Sequence, residues 1–276
     1  MSFSKRIYDI EAGKVDKNYW RDLWRYRGLF YFLAWRDILV RYKQTLIGVT
    51  WALIQPLLMM IVFSVVFGKL ANFPSYGVPY PILVFAGMLP WQFFALSFAE
   101  SSNSLVTNSN MISKVYFPRL ILPSSTIIVC LMDFFIASVL LIVLMLWYGF
   151  LPSRTIIFFP IFLLLACMTS LGAGLWVAAL NVRYRDFRYV IPFVIQLGMY
   201  ISPVGFVSNI IPEKWRMIYS INPLVGVIDG FRWSLLGDTF LVYWPGLVCS
   251  IVVITTLLIS GFIFFRKTEK TFADII

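Results

Sequence analysis

The sequence predicts an all-α polytopic membrane protein with six transmembrane helices, an N-terminal amphipathic interface helix and a re-entrant hairpin before the last span. Three observations carry this. Of 276 residues, 60% are hydrophobic and only 13% charged, about half the charge of a soluble globular domain. The charges are clustered, which leaves six windows of the roughly 20 apolar residues that a spanning helix needs. The basic residues alternate between rich and poor gaps: 18 of the 23 fall on the side that holds both termini, and an excess of Lys and Arg marks the cytoplasmic side.

Residues 1–45 read as a cytoplasmic N-terminus and interface helix. The first residues are polar and lack the short apolar core of a cleavable signal peptide. Lys17 to Lys43 is too charged to span. Trp35, Ile38, Leu39 and Tyr42 fall on one helical face, and Arg36, Asp37, Arg41 and Lys43 fall elsewhere. Before Gly28, Trp20, Leu23 and Trp24 are set apart from Arg21, Asp22 and Arg25 in the same way. This pattern predicts a helix lying in the interface with its basic face on anionic headgroups; a surface helix of a small soluble cap is the alternative.

Residues 46–276 read as the transmembrane domain. The spans run from Gln44 to Gly68, Tyr80 to Ser104, Leu120 to Tyr148, Thr155 to Val182, Tyr189 to Pro212 and Thr239 to Phe265. Between the second and third, Leu105 to Arg119 forms a cytoplasmic loop with capping residues at Asn108, Ser109 and Asn110 and a stop at Pro118. The stretch 211–238 is too broken by Pro223 and Gly230 to span and too apolar to sit in water. That reads as a re-entrant hairpin surrounded by protein or an aqueous cavity.

Candidate chemistry is sparse. There is no histidine, and the three cysteines lie in apolar runs, so neither a disulfide framework nor a metal cluster is expected. The only Gly-Lys pairs, Gly13-Lys14 and Gly68-Lys69, lack the remainder of a phosphate loop. The net charge of +10 is distributed as topology signal and lipid-headgroup contact rather than as a nucleic-acid surface. Two acids lie within spans. Asp133 costs about 2.5–3.5 kcal/mol at mid-membrane and is expected to face the bundle or an aqueous path, or to be protonated. Glu100 runs into Ser101–Ser104 and reaches either headgroup water or a pathway. Asp229 and Arg232, spaced i, i+3, are placed to pair on one helical face. The 26 Phe, 14 Tyr and 10 Trp suit lipid-facing and belt positions, such as Trp91 and Trp244 near span ends. Flat rings also stack on sugar faces.

Four stretches in order along nearly the whole chain carry a resemblance: RDILVRYKQTLIGVTWALIQPLLMM, NSNMISKVYFPRLILP, LNVRYRDFRYVIPFVIQLGMYISPV and INPLVGVIDGFRWSLLG. Together they resemble the membrane subunits of ABC-2-type exporters of polysaccharides and polyol phosphates, the O-antigen, capsule and teichoic-acid permeases. The resemblance implies a bacterial inner-membrane homodimer joined to two copies of a separate ATP-binding subunit, which would hold ATP and Mg. The substrate would be a lipid-linked glycan, moved through a channel at the dimer interface. On this likeness Asn110, Met111, Lys114, Tyr116 and Phe117 couple to the ATPase. Arg183, Arg185, Asp186 and Arg188 form the cytoplasmic mouth of the fifth span, and Asp229 and Arg232 lie in an outer gate. A permease of the same fold for teichoic acid, capsule, lipid or drug is the second reading. A membrane-embedded transferase is the third, and the missing histidine and nucleophile constellation count against it.

Overall fold

The computed structural model describes residues 19–43, 46–184, 186–237, 240 and 242–272. Two short helices, α1 (Tyr19–Arg25) and α2 (Arg27–Lys43), precede α3 (Leu46–Phe63), which continues as a π-helical stretch at Ser64–Leu70. Next come α4 (Tyr80–Thr107), the single turn α5 (Ser109–Ile112) and α6 (Ile121–Trp147). The chain ends with α7 (Phe159–Arg183), α8 (Phe187–Ile201), α9 (Glu213–Tyr219), α10 (Pro223–Leu236) and α11 (Trp244–Thr268).

Each long helix coincides with a charge-poor window, because backbone polar groups in hydrocarbon must be satisfied within the segment. Prolines begin α4, α7, α10 and α11, where a missing N–H costs no intrahelical bond. Five helical stretches among the described residues are long and apolar enough to cross a membrane: Leu53–Leu70, Tyr80–Thr107, Ile121–Trp147, Arg154–Arg183 and Trp244–Thr271. The hub is α4, which is buried along most of its length and packs on α6, α7 and α10.

Small residues set the close approaches, as expected between membrane helices. A Cβ at Gly174 of α7 would lie 2.4 Å from Ser101 Oγ of α4. One at Gly261 of α11 would lie 2.5 Å from the Gly172 carbonyl of α7. Ser101, Ser102 and Ser104 are therefore packed inside the bundle rather than leading to headgroup water, and Glu100 beside them stays exposed. Trp91 is likewise no belt residue. It is buried with its ring against Gly198 of α8, whereas Trp244 is exposed.

The fifth expected span differs from the other five. α8 has 15 residues, about 22 Å of helix against a hydrocarbon core of roughly 30 Å. It stops before Ser202-Pro203, and the chain continues to Val207 as mostly buried, non-helical backbone. Four carbonyls there are taken by side chains. The Tyr219 hydroxyl donates to Ile201 O and the Tyr80 hydroxyl to Gly205 O, both at 2.8 Å. Arg232 donates to Val204 O and to Phe206 O, both at 2.7 Å. Its Nε also reaches Leu83 O of α4 at 3.2 Å.

Arg232 is fully buried, and α4 admits it at Gly87, where a Cβ would lie 2.4 Å from Arg232 Nη2. The expected ion pair with Asp229 does not form. The guanidinium is turned onto the carbonyls that the broken backbone leaves without partners, and one Asp229 carboxylate oxygen has no hydrogen-bond partner. Hydrogen bonds to a charged group contribute about 1.5–3 kcal/mol each, so three of them offset an insertion cost of about 2.5–3.5 kcal/mol for the arginine.

The hairpin takes the form of α9 and α10. Asn222 caps α10 by accepting from Leu224 N at 3.1 Å, Gly237 ends it at φ 71°, and its length is buried against α4, α7 and α11. Tyr19 lies under the Arg266 guanidinium, so the first and last described elements meet at one end of the bundle, the terminal end. α9 and the start of α10 lie at the other, the hairpin end.

Arg232→Met is expected to lose folded yield and to lower the melting temperature in detergent by ten degrees or more. Arg232→Lys, with its charge but no fork, is expected to fall between it and the wild type in the same melt.

Candidate functional site

Asp133 is the thirteenth of the 27 residues of α6, about 18 Å along it from the terminal end. Its partners come from α2. Arg41 Nη1 lies 2.9 Å from Asp133 Oδ2, and Arg41 Nη2 lies 3.6 Å from Glu100 Oε1 of α4. The Tyr42 hydroxyl donates to Asp133 Oδ1.

Through this contact the C-terminal turn of α2 packs against α6. The faces of α2 are not those of the periodicity. Leu33 and Ala34 are buried, with Asp37, Ile38, Arg41 and Tyr42 half-buried beside them, whereas Trp35 and Leu39 are exposed with Tyr31, Phe32 and Val40. An acid inside the bundle needs a cation more than the helix needs an apolar inner face. Aromatic side chains lose nothing by facing lipid.

Around Arg41 the helices enclose two adjoining cavities. One, of about 450 Å³, lies at mid-bundle and is lined by Gln55 of α3, Gln92 and Phe93 of α4, Tyr42, Asp133 and Phe134. The other, of about 260 Å³, is lined by Arg36, Asp37, Glu100, Ser104, Asn108 and Thr126. Both contain Arg41 and Cys130 in their walls. Along α4 they extend from Leu89 to Asn108, about 28 Å. A groove whose mostly apolar walls carry a few polar side chains therefore runs from the terminal end to the middle of the bundle. Gln55 and Gln92 bring amide groups to the wall of the larger cavity.

The remaining expected residues are not gathered at this groove. Arg183 lies over the Tyr184 ring and Arg188 over the Tyr189 ring, both exposed at the terminal end with Asp186. Arg185 lies outside the described residues. Asp229 and Arg232 are buried at the hairpin side and line neither cavity. In the loop after α4, Asn110, Lys114 and Tyr116 are exposed and Met111 is half-buried. Phe117 belongs to the interior, packed in a second apolar cluster with Ile112, Phe265 and Phe272. No group of three or more His, Cys, Asp or Glu placed to hold a metal ion occurs among the described residues.

Sequence reasoning missed Arg41, Tyr42, Gln55 and Gln92. A signal was available for the two glutamines, which are polar residues inside charge-free windows. None was available for Arg41 and Tyr42, whose positions depend on how α2 docks.

Removing one partner of such a pair strands the other. Asp133→Leu alone is expected to lower the melting temperature in detergent, and Asp133→Leu with Arg41→Met to recover most of that loss.

Comparison with known proteins agrees with this architecture. Residues 28–236 match the ABC-2 type transporter family. The chain is 29% identical to an O-antigen export system permease protein of Myxococcus xanthus, over 77% of this chain and 82% of that protein. It is 27% identical to one of Klebsiella pneumoniae over 87% and 92%, and 22% identical to a polysialic acid transport protein of Escherichia coli over 73% and 78%. Because the family match takes in well over half of its residues, the chain belongs to the ABC-2 type transporter family.

Proposed function

We propose that this chain is the membrane-spanning permease subunit of an ATP-driven exporter. It carries a lipid-linked polysaccharide of the O-antigen type from the cytoplasm across the bacterial inner membrane. The observation that carries this reading is the groove along α4. Polar side chains inside a membrane bundle are costly and mark pathways, and here carboxylates, amides, a guanidinium and a phenol line two adjoining cavities together with Phe93 and Phe134. Hydroxyl-rich sugar rings match those donors and acceptors, and their apolar faces match the rings.

The family membership and the names of the relatives support the same reading. The more similar relatives are O-antigen permeases at 27–29% identity, against 22–23% for the capsule and polysialic acid exporters. A capsule-type polysaccharide is accordingly the second substrate reading. The excess of basic residues at the terminal end supports cytoplasmic termini. The chain has no phosphate loop, so a separate ATP-binding subunit, in two copies on a homodimer of this chain, would bind ATP and Mg. The exposed Asn110, Lys114 and Tyr116 would face it.

Two outcomes are expected. The purified chain hydrolyses no ATP, and turnover requires the separate ATPase subunit; robust hydrolysis by the isolated chain would overturn the assignment. Ala95→Trp, which fills the mid-bundle cavity from α4, leaves ATPase co-purification intact while surface polysaccharide, detected with antiserum on whole cells, falls at least tenfold. Normal surface polysaccharide in that variant would remove the groove from the pathway.

A further inference from the structure

The loop after α4 is joined to the far end of the chain by a contact that the transport reading does not use. The backbone N–H of Arg119 donates to Glu269 Oε1 at 2.7 Å, and Arg119 Nη1 donates to the Glu269 carbonyl at 2.6 Å. The two residues are 150 positions apart in sequence, and Glu269 is buried. Around this joint, Ile112, Phe117 and Leu120 from the loop share one apolar cluster with Phe265 and Phe272 from the C-terminal turn and with Tyr19. The Arg266 guanidinium lies 3.3 Å from the centre of the Tyr19 ring, and Trp20 stacks on Phe262 at 5.3 Å. Loop, N-terminal helix and C-terminal turn therefore form one block.

From that block α11 runs to the hairpin. Nineteen residues before Glu269, or about 28 Å along the helix, Ser250 Oγ donates to Ser220 O between α9 and α10 at 3.0 Å. A Cβ on Gly226 of α10 would lie 2.6 Å from Ser250 Cβ, and one on Gly246 would lie 2.3 Å from Ser220 Oγ. Midway, Gly261 lets α11 run closely along α7 past the Gly172 carbonyl. A packed helix with both ends bonded moves as a unit, since close-packed interiors transmit displacement rather than absorb it.

We propose that Arg119 and Glu269 are positioning residues for transport. They bolt the ATPase-facing loop to α11, which carries its displacement as a rod to the hairpin at the opposite face. This rests on the permease reading above.

The test uses the full complex of this chain with its ATPase subunit. Three quantities are measured: recovery of the complex, ATP hydrolysis, and surface polysaccharide on cells carrying the same alleles. In E269A the ATPase subunit co-purifies and more than half of the ATP hydrolysis remains, while surface polysaccharide falls at least fivefold. E269Q restores most export, because its amide oxygen still accepts from Arg119 N. R119A loses only the guanidinium bond and is intermediate, and the double variant R119A/E269A is no worse than E269A. A purely structural joint would lower recovery, hydrolysis and export together, and that pattern overturns the proposal. So does normal export in E269A. Should E269A fail to assemble, S250A at the far end of the rod is read in the same way: it must lower polysaccharide per ATP, and an unchanged ratio overturns the proposal. Absence of polysaccharide export by the wild-type complex would instead count against the permease reading itself.

Discussion

The guanidinium of Arg232 on the carbonyls of Leu83, Val204 and Phe206 is the contact on which the hairpin half of the bundle depends. Backbone that leaves a helix inside a membrane loses its ladder and finds no water to replace it. The segment after α8 does so at Ser202-Pro203, and it persists because Arg232, Tyr80 and Tyr219 supply donors to its carbonyls. The consequences extend to the neighbours. α4 carries a glycine at position 87 to admit the side chain, α10 is drawn into the bundle to deliver it, and α8 ends as a short helix. A lysine could not do this, since three carbonyls in different directions call for a planar fork with five donors.

The same constraint, applied to acids, shapes the terminal half. Asp133 and Glu100 sit on α6 and α4, and a charge at such depth is retained only with a partner or an aqueous path. Here it has both. Arg41 and Tyr42 come down from α2, and the space that α2 leaves against α3, α4 and α6 is the groove. The same side chains thus hold α2 in place and line the groove.

Between these halves the bundle is held by contacts with little chemistry in them. Glycines 172, 174 and 261 and the serines of α4 let helix axes approach closely, and Asn181 donates to Asn103 Oδ1 at 3.0 Å across α7 and α4. Lipid supplies no hydrophobic drive for helix association, so dispersion at close range and a few interhelical hydrogen bonds carry it. A separate apolar cluster at the terminal end gathers Tyr19, Phe117, Phe265 and Phe272, which ties the loop after α4 to both ends of the described chain.

By itself the sequence determined the membrane class, the positions of the long helices and the presence of a broken hairpin. Each of these is a local property: a charge-free run of sufficient length must be helical in lipid, and Pro223 with Gly230 interrupts one. It also singled out Asp133 as a residue needing a partner, because the cost of its charge does not depend on the fold. Only the tertiary structure decided who the partners are. Arg41 and Tyr42 lie some 90 residues from Asp133, and nothing local to α2 says that its charged face turns inward. Asp229 and Arg232 are neighbours at i, i+3, yet Arg232 bonds to carbonyls up to 149 residues away. Phe117 reads as a docking residue in its loop and is buried in the chain's own interior. Helix formation in a membrane is settled within a segment, whereas the satisfaction of a buried charge is settled between segments, by whichever donor or acceptor the packed bundle brings within reach.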